Sequence, residues 1–409
     1  MQINRDQFLE EGYLILRQVI PPDQLETLRT TYEIMVERQK VIWAQQRRPG
    51  DPPGGVWETG AQPRLVLGEI ADQIDAQTAP AVEYWLHENM QGVSSQLLGV
   101  EDAAVTQMML MCNPRRDRGT ADHRGWHRDL YPPRCAPLQS YADDIVENGP
   151  RYVQWNLPLY DDDVLWVLPG SHIHSTSRAE NEQLDKDPHV PLPGGVQTHL
   201  KAGDGVAYIL PLLHWGSQYN SKLRRTIHGG FSIFTHYRDL SFLQHLSTPA
   251  QATFARWARR SEQLQEGTEA VLRTAIEKDA TGYCDALEQL HPGRGEKGQL
   301  QSTLCLSKVA KRIDQLKRAD FDRLPANEQK WAASVHATAL QWGGAFADRF
   351  STEEACSAWA RFKPVDDALQ TQQAQWAPGF QGEPTSYYFN QVPDGLSVES
   401  FIAGWASAS

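Results

Sequence analysis

The chain has 409 residues, of which 40% are hydrophobic and 22% charged, and its formal net charge is −12. This is ordinary globular usage, long enough for two or three domains and for a core that needs no disulfide or metal staples; it excludes collagen-like, mucin-like and wholly disordered chains. The acidic balance also speaks against a nucleic-acid partner, because binding phosphates asks for a basic surface.

Three composition regimes follow one another. In the first, up to about residue 100, Phe8, Leu9, Gly12 and Tyr13–Leu16 read as a short helix and a strand. Pro21-Pro22-Asp23 then opens a helix with Leu25, Leu28, Tyr32 and Met35 at helical spacing. Gln45 to Pro63 is rich in Pro and Gly and reads as a long loop of the kind that forms lids, with Trp57 as a pocket cap or a core plug; Ala79–Leu98 returns to helix.

The second regime, about 104 to 237, holds short apolar runs bounded by Pro, Gly and Asp. The candidate strands are Val105–Cys112, Tyr152–Leu159, Leu165–Leu168, Gly205–Leu210 and Arg225–Thr235. Their spacing points to a sandwich or barrel rather than a parallel sheet. Loops 113–125, 130–150 and 175–197 are the expected pocket walls. The third regime, from about residue 240, is rich in Ala, Gln, Glu, Arg and Leu over 249–290 and 302–350 and reads as helical. It ends in an aromatic tail with Trp376, Tyr387, Tyr388, Phe389 and Trp405.

Five scattered cysteines (Cys112, Cys135, Cys284, Cys305, Cys356) with no C-x-x-C pair suit reduced thiols in a cytoplasm rather than a disulfide framework or a thiolate zinc site. The segment Met1–Phe8 lacks the apolar core of a signal peptide. No run reaches the roughly 18 apolar residues of a membrane span, so neither a secretory leader nor a membrane partner is expected.

The segment that carries chemistry is Trp126-His127-Arg128-Asp129. On an extended chain a His and an Asp two apart point to the same side and can take two neighbouring positions on one metal. A third ligand is then required from elsewhere, and His214, just after the Gly205–Leu210 strand, is the best placed. Two His and one carboxylate on one octahedral face leave three positions open, as in non-haem Fe(II) oxygenases. Arg225 lies eleven residues after His214. On a strand it shares a face with Ile227, Gly229, Phe231 and Ile233, and an arginine on an apolar inward face calls for an anion, such as the distal carboxylate of 2-oxoglutarate. The plainer reading of Arg225 is a salt bridge at a barrel rim. Arg224 points the other way and is expected to be solvated.

These residues resemble those of the phytanoyl-CoA dioxygenase family of Fe(II)/2-oxoglutarate-dependent oxygenases. The likeness is carried by Phe8–Leu16 with Pro21–Leu25, by His127-Arg128-Asp129, by Leu165-Trp166-Val167-Leu168-Pro169-Gly170-Ser171-His172, and by Ala202–Gly205 followed by His214 and Arg225. It covers about residues 5–238. It implies an α+β chain with a double-stranded β-helix (jelly-roll, cupin-like) core in residues 1–240, flanked by N-terminal helices; the region after 240 has no counterpart in the likeness, and from its composition residues 241–409 are expected to be a helical C-terminal extension packed on the core, at the substrate entrance or in a homodimer contact. The likeness also implies His127, Asp129 and His214 as iron ligands and Arg225 as the partner of 2-oxoglutarate. Met109 and Trp155 match family positions that line the co-substrate pocket, and Gln107 shares the strand face of Met109. Ordinary barrel interior is an equal reading for these three. The implied cofactors are Fe(II), 2-oxoglutarate and O2, and the implied reaction oxidises a C–H bond of a small organic molecule with release of succinate and CO2. The carboxylate of Asp129 favours hydroxylation or another oxidation over halogenation.

Two other readings stay open: a jelly-roll metalloenzyme that does not use 2-oxoglutarate, and a non-catalytic ligand-binding jelly-roll. The remaining motifs carry less. Gly293-Arg294-Gly295-Glu296-Lys297-Gly298 matches G-x-G-x-x-G but follows a helical pattern, so a loop between helices is expected. His172 and His174 are not expected to bind metal. His123, His199, His228 and His236 have no partner spacing, and His228 lies opposite Arg225. Asp161-Asp162-Asp163 reads as a solvated turn. Arg47-Arg48 and Arg115-Arg116-Asp117-Arg118 read as basic islands near the barrel mouth.

Overall fold

The computed structural model describes residues 1–115, 124–130, 136–217, 222–318, 320–323, 326, 329, 335–336, 341–371, 375–376, 387–388 and 391–406. Arg116, Asp117, Arg118, His123, Cys135 and Phe389 lie outside the described residues. The principal helices are α1 (Arg5–Glu11), α2 (Pro22–Gln45), α3 (Val93–Leu98), α4 (Leu138–Asn148), α5 (Arg178–Lys186), α6 (Thr248–Glu277), α7 (Ala280–Leu290), α8 (Gly295–Lys317), α9 (Thr352–Thr371) and α10 (Val398–Ala403). None of them is long and apolar enough to cross a membrane. The chain divides into two compact units. The first comprises Met1–Arg128, Pro150–His172 and Thr176–Arg260; the second comprises Asp129–Gly149, Ile173–Ser175 and Ser261–Ser409.

The first unit holds two antiparallel sheets. Six strands pair in the order β1 (Tyr13–Leu16), β8 (Gly205–Ile209), β5 (Val153–Pro158), β10 (Thr226–Ser232), β3 (Ala104–Met111), β2 (Arg64–Val66). Four more pair in the order β4 (Arg124–His127), β9 (His214–Gly216), β6 (Leu165–Val167), β7 (Val196–Gln197). The five strands expected from apolar runs are β3, β5, β6, β8 and β10. The short strands β2, β4, β7 and β9 are too brief for alternation to announce them.

One face of the six-stranded sheet turns toward the four-stranded sheet. Tyr13, Val206 and Tyr208 of the first share a buried cluster with Leu165 and Val167 of the second. The opposite face is covered by the N-terminal helices, where the Trp155 indole N–H donates to Ser94 Oγ on α3 at 2.9 Å and Trp85 packs on Phe231. Every residue of β10 is therefore buried, whichever way it points.

Local signals explain the N-terminal elements. The Asn4 side chain accepts from the Gln7 N–H to start α1, and Gly12 ends it at φ 82°. A side chain on Gly12 would collide with the ring of His172, whose Nε2 lies 2.9 Å from the Leu9 carbonyl. His172 thus fills the end of α1. Trp57, in the Gln45–Pro63 segment, stacks on Trp43 of α2 and takes Lys40 and Arg225 on its ring, so it is a plug on the helix side of the sheet.

In the second unit α8 is buried along most of its length through Leu304, Val309 and Ile313, with Gln301, Ser302 and Ser307 buried among them. Lys308 on α8 is ion-paired with Asp366 on α9, which also takes Lys311 at 2.9 Å. Tyr283, Phe362, Phe401 and Trp405 form an aromatic cluster. The helical reading of 302–350 is too long. Helix α8 ends at Lys317, and Val335–His336 pairs with Gln341–Trp342 as a small antiparallel ladder. Helix propensity is a weak prior that local context overrides. Two expected loops also contain helices, α4 within 130–150 and α5 within 175–197, the latter started by a capping box on Ser177 and Glu180. Of the G-x-G-x-x-G match only Gly293 and Arg294 lie in the connection between α7 and α8, while Gly295–Gly298 open α8, so the expected interhelical loop is shorter than the motif.

One buried group makes the fold sensitive to acid. Burial, reinforced by the positive charge of Arg238, pushes the His236 imidazole down from 6.5 to about 4. Its Nε2 has no hydrogen-bond partner among the described residues. The folded value lies below the unfolded one, so the unfolded chain binds the proton first as pH falls. Stability from this site is complete above about pH 6.5 and is lost as pH falls toward 4, by about 3 kcal/mol. Urea unfolding of His236→Met across that window is expected to show a flatter pH dependence than the parent chain.

Candidate metal centre

Strands β4 and β9 are antiparallel neighbours with His127 directly opposite His214, and their ring centroids are 4.3 Å apart. Successive side chains on a strand point to opposite faces. The histidines point to one face, and their neighbours Trp126 and Trp215 point to the other, joining Leu168, Leu184, Leu192 and Leu213 in a buried cluster. Trp126 and Trp215 pack at 5.7 Å, and Trp166 lies 5.8 Å beyond Trp215. The apolar side of the two strands thereby anchors the polar side.

His127 and His214 are only 7% and 4% exposed. Their Nδ1 atoms lie 2.8 Å from the Gly125 carbonyl and 2.9 Å from the Leu212 carbonyl. A carbonyl can only accept, so each Nδ1 carries the proton and donates it. In a neutral imidazole with its proton on Nδ1, the lone pair is on Nε2, the tautomer a metal requires. Asp129, two residues after His127, brings the third donor: the ligand atoms of His127, Asp129 and His214 all lie within 4.8 Å of one another. The triad read from the sequence is thus assembled in space.

The face of the six-stranded sheet that turns toward these strands is unexpectedly polar. Directly opposed residues on antiparallel strands share a face. The set Tyr208–Gln154–Gly230–Gln107 is one such row, and Asn156–His228–Met109 is the next. The Tyr208 ring packs 5.2 Å from that of His214, and its hydroxyl accepts from the Gln154 amide at 2.7 Å. Gln107 and Met109 stand on this inward face. Trp155 stands on the other, held by Ser94.

The two arginines at the start of β10 are placed opposite to the sequence reading. Arg225 points to the helix-covered face, where its guanidinium grips both carboxylate oxygens of Glu33 on α2, at 2.8 and 3.0 Å, and also donates to the Cys112 carbonyl at 3.1 Å. Arg224, expected to be solvated, is buried on the other face together with Thr226 and His228. Its Nε donates to Asp162 Oδ2 at 2.8 Å and its Nη1 reaches Met111 Sδ at 3.3 Å; Nη2 makes no hydrogen bond among the described residues. Thr226 Oγ1 donates to the same Asp162 oxygen at 3.2 Å. Asp162 is accordingly no member of a solvated turn, although its neighbours Asp161 and Asp163 pair with surface lysines. Arg64 on β2 shares the inward face and lies opposite Met111. The reversal has a simple cause: when both faces of a strand are buried, alternation sorts its residues into two sets without saying which is inside. The signal that distinguishes the sets is Arg224-x-Thr226-x-His228, three polar residues at period two in an otherwise apolar run.

No family model matches the chain, and no curated protein does. Solved structures are similar to part of it. AviO1 from Streptomyces viridochromogenes is 19% identical over 57% of this chain and 96% of that one, with a TM-score of 0.38. EctD from S. alaskensis, crystallised with 2-oxoglutarate and 5-hydroxyectoine, is 15% identical over 56% of this chain and 74% of that one, with a TM-score of 0.36. HygX from Streptomyces hygroscopicus, with nickel and 2-oxoglutarate bound, is 15% identical over 58% of this chain and 90% of that one, with a TM-score of 0.39. At such TM-scores these likenesses add nothing to the geometry above.

The triad makes a direct prediction. Isothermal titration of metal-free protein with Mn(II) is expected to give one strong site per chain, and His127→Ala, Asp129→Ala and His214→Ala are each expected to weaken it by at least about 100-fold, beyond the loss typical of outer-shell changes.

Proposed function

We propose that the chain is an Fe(II)- and 2-oxoglutarate-dependent dioxygenase with a jelly-roll core that oxidises a C–H bond of a small organic molecule. The observation that carries this reading is the convergence of His127, Asp129 and His214, whose ligand atoms lie within 4.8 Å of one another, with each histidine held at Nδ1 by a backbone carbonyl. Two imidazoles and one carboxylate suit a divalent first-row metal and leave coordination positions for a bidentate co-substrate and O2. When bound, iron and 2-oxoglutarate supply the oxidising chemistry, with O2 consumed and succinate and CO2 released.

The chain's own residues do the rest. His127 and His214 hold the metal on the polar side of β4 and β9, and the tryptophan cluster behind them keeps the strands from shifting. The proposed partner of the co-substrate's distal carboxylate is Arg224 rather than Arg225. Arg224 lies on the inward face beside the Thr226 hydroxyl and retains a guanidinium nitrogen unused among the described residues. Arg225 is committed to Glu33. Gln107 and Met109, on the same face, are proposed as walls of the co-substrate pocket, with Arg64 adding positive charge there. Trp155 serves the helix side of the sheet.

A metalloenzyme that does not use 2-oxoglutarate is the second reading, and one observation favours it: Asp162 already supplies Arg224 with an anion. Anaerobic addition of Fe(II) and 2-oxoglutarate separates the two. A visible charge-transfer band that needs both additions is expected. Arg224→Ala is expected to raise the 2-oxoglutarate concentration required by about 100-fold, the scale of a desolvated charge pair. Arg225→Ala is expected to lower thermal stability while leaving that requirement within about threefold. Metal binding without any band would refute the oxygenase in favour of the second reading.

A further inference from the structure

Between the two ligands of the H-x-D segment stands Arg128, 1% exposed and among the largest fully buried side chains. It points away from His127, so it is not itself a ligand. A guanidinium buried this deeply is costly unless its donors find acceptors. Two of its acceptors lie in the turn just before His214 and in the turn that follows β6. Its Nη1 donates to the carbonyls of Ser171 and Pro211, and its Nη2 donates to Thr176 Oγ1 at 3.3 Å.

Those turns are themselves stitched together. Ser171 Oγ accepts the Leu213 N–H at 2.8 Å and donates to the Leu168 carbonyl at 2.7 Å, while the Leu168 N–H donates to the Leu213 carbonyl at 2.9 Å. The Leu212 N–H closes the turn on the Ile209 carbonyl, and the Leu212 carbonyl takes the Nδ1 proton of His214. The backbone from Pro211 to Leu213 thus hangs on Arg128 at one point and on Ser171 at another, and His214 follows it directly. The side chain next to His127 fixes the segment that presents His214.

The geometry points to Arg128 as a positioning residue for the metal centre: its planar fork sets the separation of the His127 and His214 arms, with Ser171 as the second fastener. This rests on the metal reading above. The two carbonyls share Nη1 while Thr176 Oγ1 takes Nη2, so a lysine, with its donors on one nitrogen at the end of a flexible stem, cannot span the three acceptors that the planar guanidinium reaches from two nitrogens. The inference therefore predicts a weaker and geometrically altered metal site with all three ligands intact.

The test uses Co(II) as the probe on the full-length chain. Affinity is read from quenching of tryptophan fluorescence, and coordination from the visible ligand-field spectrum; cooperative unfolding is checked on the metal-free variants. Arg128→Met and Arg128→Lys are expected to weaken Co(II) binding about 10–100-fold and to change the spectrum while unfolding stays cooperative. Ser171→Ala removes only the Oγ bonds, tolerates failure of the arginine variants to fold, and is expected to weaken binding several-fold. Folded variants with the parent's affinity and spectrum would overturn the inference and leave the metal centre standing. A parent chain that binds no Co(II) would overturn the metal reading, and this inference with it.

Discussion

Two histidines face each other across a pair of antiparallel strands only a few residues long, and the rest of the first unit is arranged so that they stay there. Strands as short as β4 and β9 have little hold of their own, since so few ladder bonds join them. What secures them is the alternation of each histidine with a tryptophan. Trp126 and Trp215 bury large apolar area on the far side and pack on one another. Sliding either strand by one residue would turn its tryptophan toward the polar side and its histidine into the apolar cluster, so register and ligand geometry are enforced by the same contact.

From that pair the polar order spreads in two directions. Outward, Arg128 and Ser171 tie the turns that carry the ligands. Inward, Tyr208 lies against His214 and is held by Gln154, whose amide lies 3.5 Å from the His228 ring; that ring in turn meets Asn156 and the Trp155 carbonyl. Buried polar groups are tolerable only when they answer one another. The inward face of the six-stranded sheet meets this condition with a hydrogen-bonded chain rather than with hydrocarbon.

Much of this was legible in the residues, and where it was not the reason is physical. His127, Asp129 and His214 could be named because ligand chemistry admits few residue types and the two-residue spacing on an extended segment is restrictive. The longer strands could be named because apolar runs bounded by Pro, Gly and Asp have few other uses. The parity of β10 could not, because both of its faces are buried and an apolar alternation then has no sign. That ambiguity put Arg225 on the inward face and left Arg224 and Asp162 read as solvated. Strands β2, β4, β7 and β9 escaped because a stretch of two to four residues has no period to detect. Helices α4 and α5 escaped because they lie inside segments whose polar composition suits a loop equally well.

The adjacency of Arg224 and Arg225 has an evolutionary side. Each arginine has its own carboxylate, Asp162 on one face of the sheet and Glu33 on the other. Which of the two faces inward follows from the parity of β10, and that parity is fixed by the pairing of β10 with β3 and β5. A change in the length of the connection from β9 leaves that pairing intact, so the count of residues from the distal histidine does not by itself say which arginine faces the metal side.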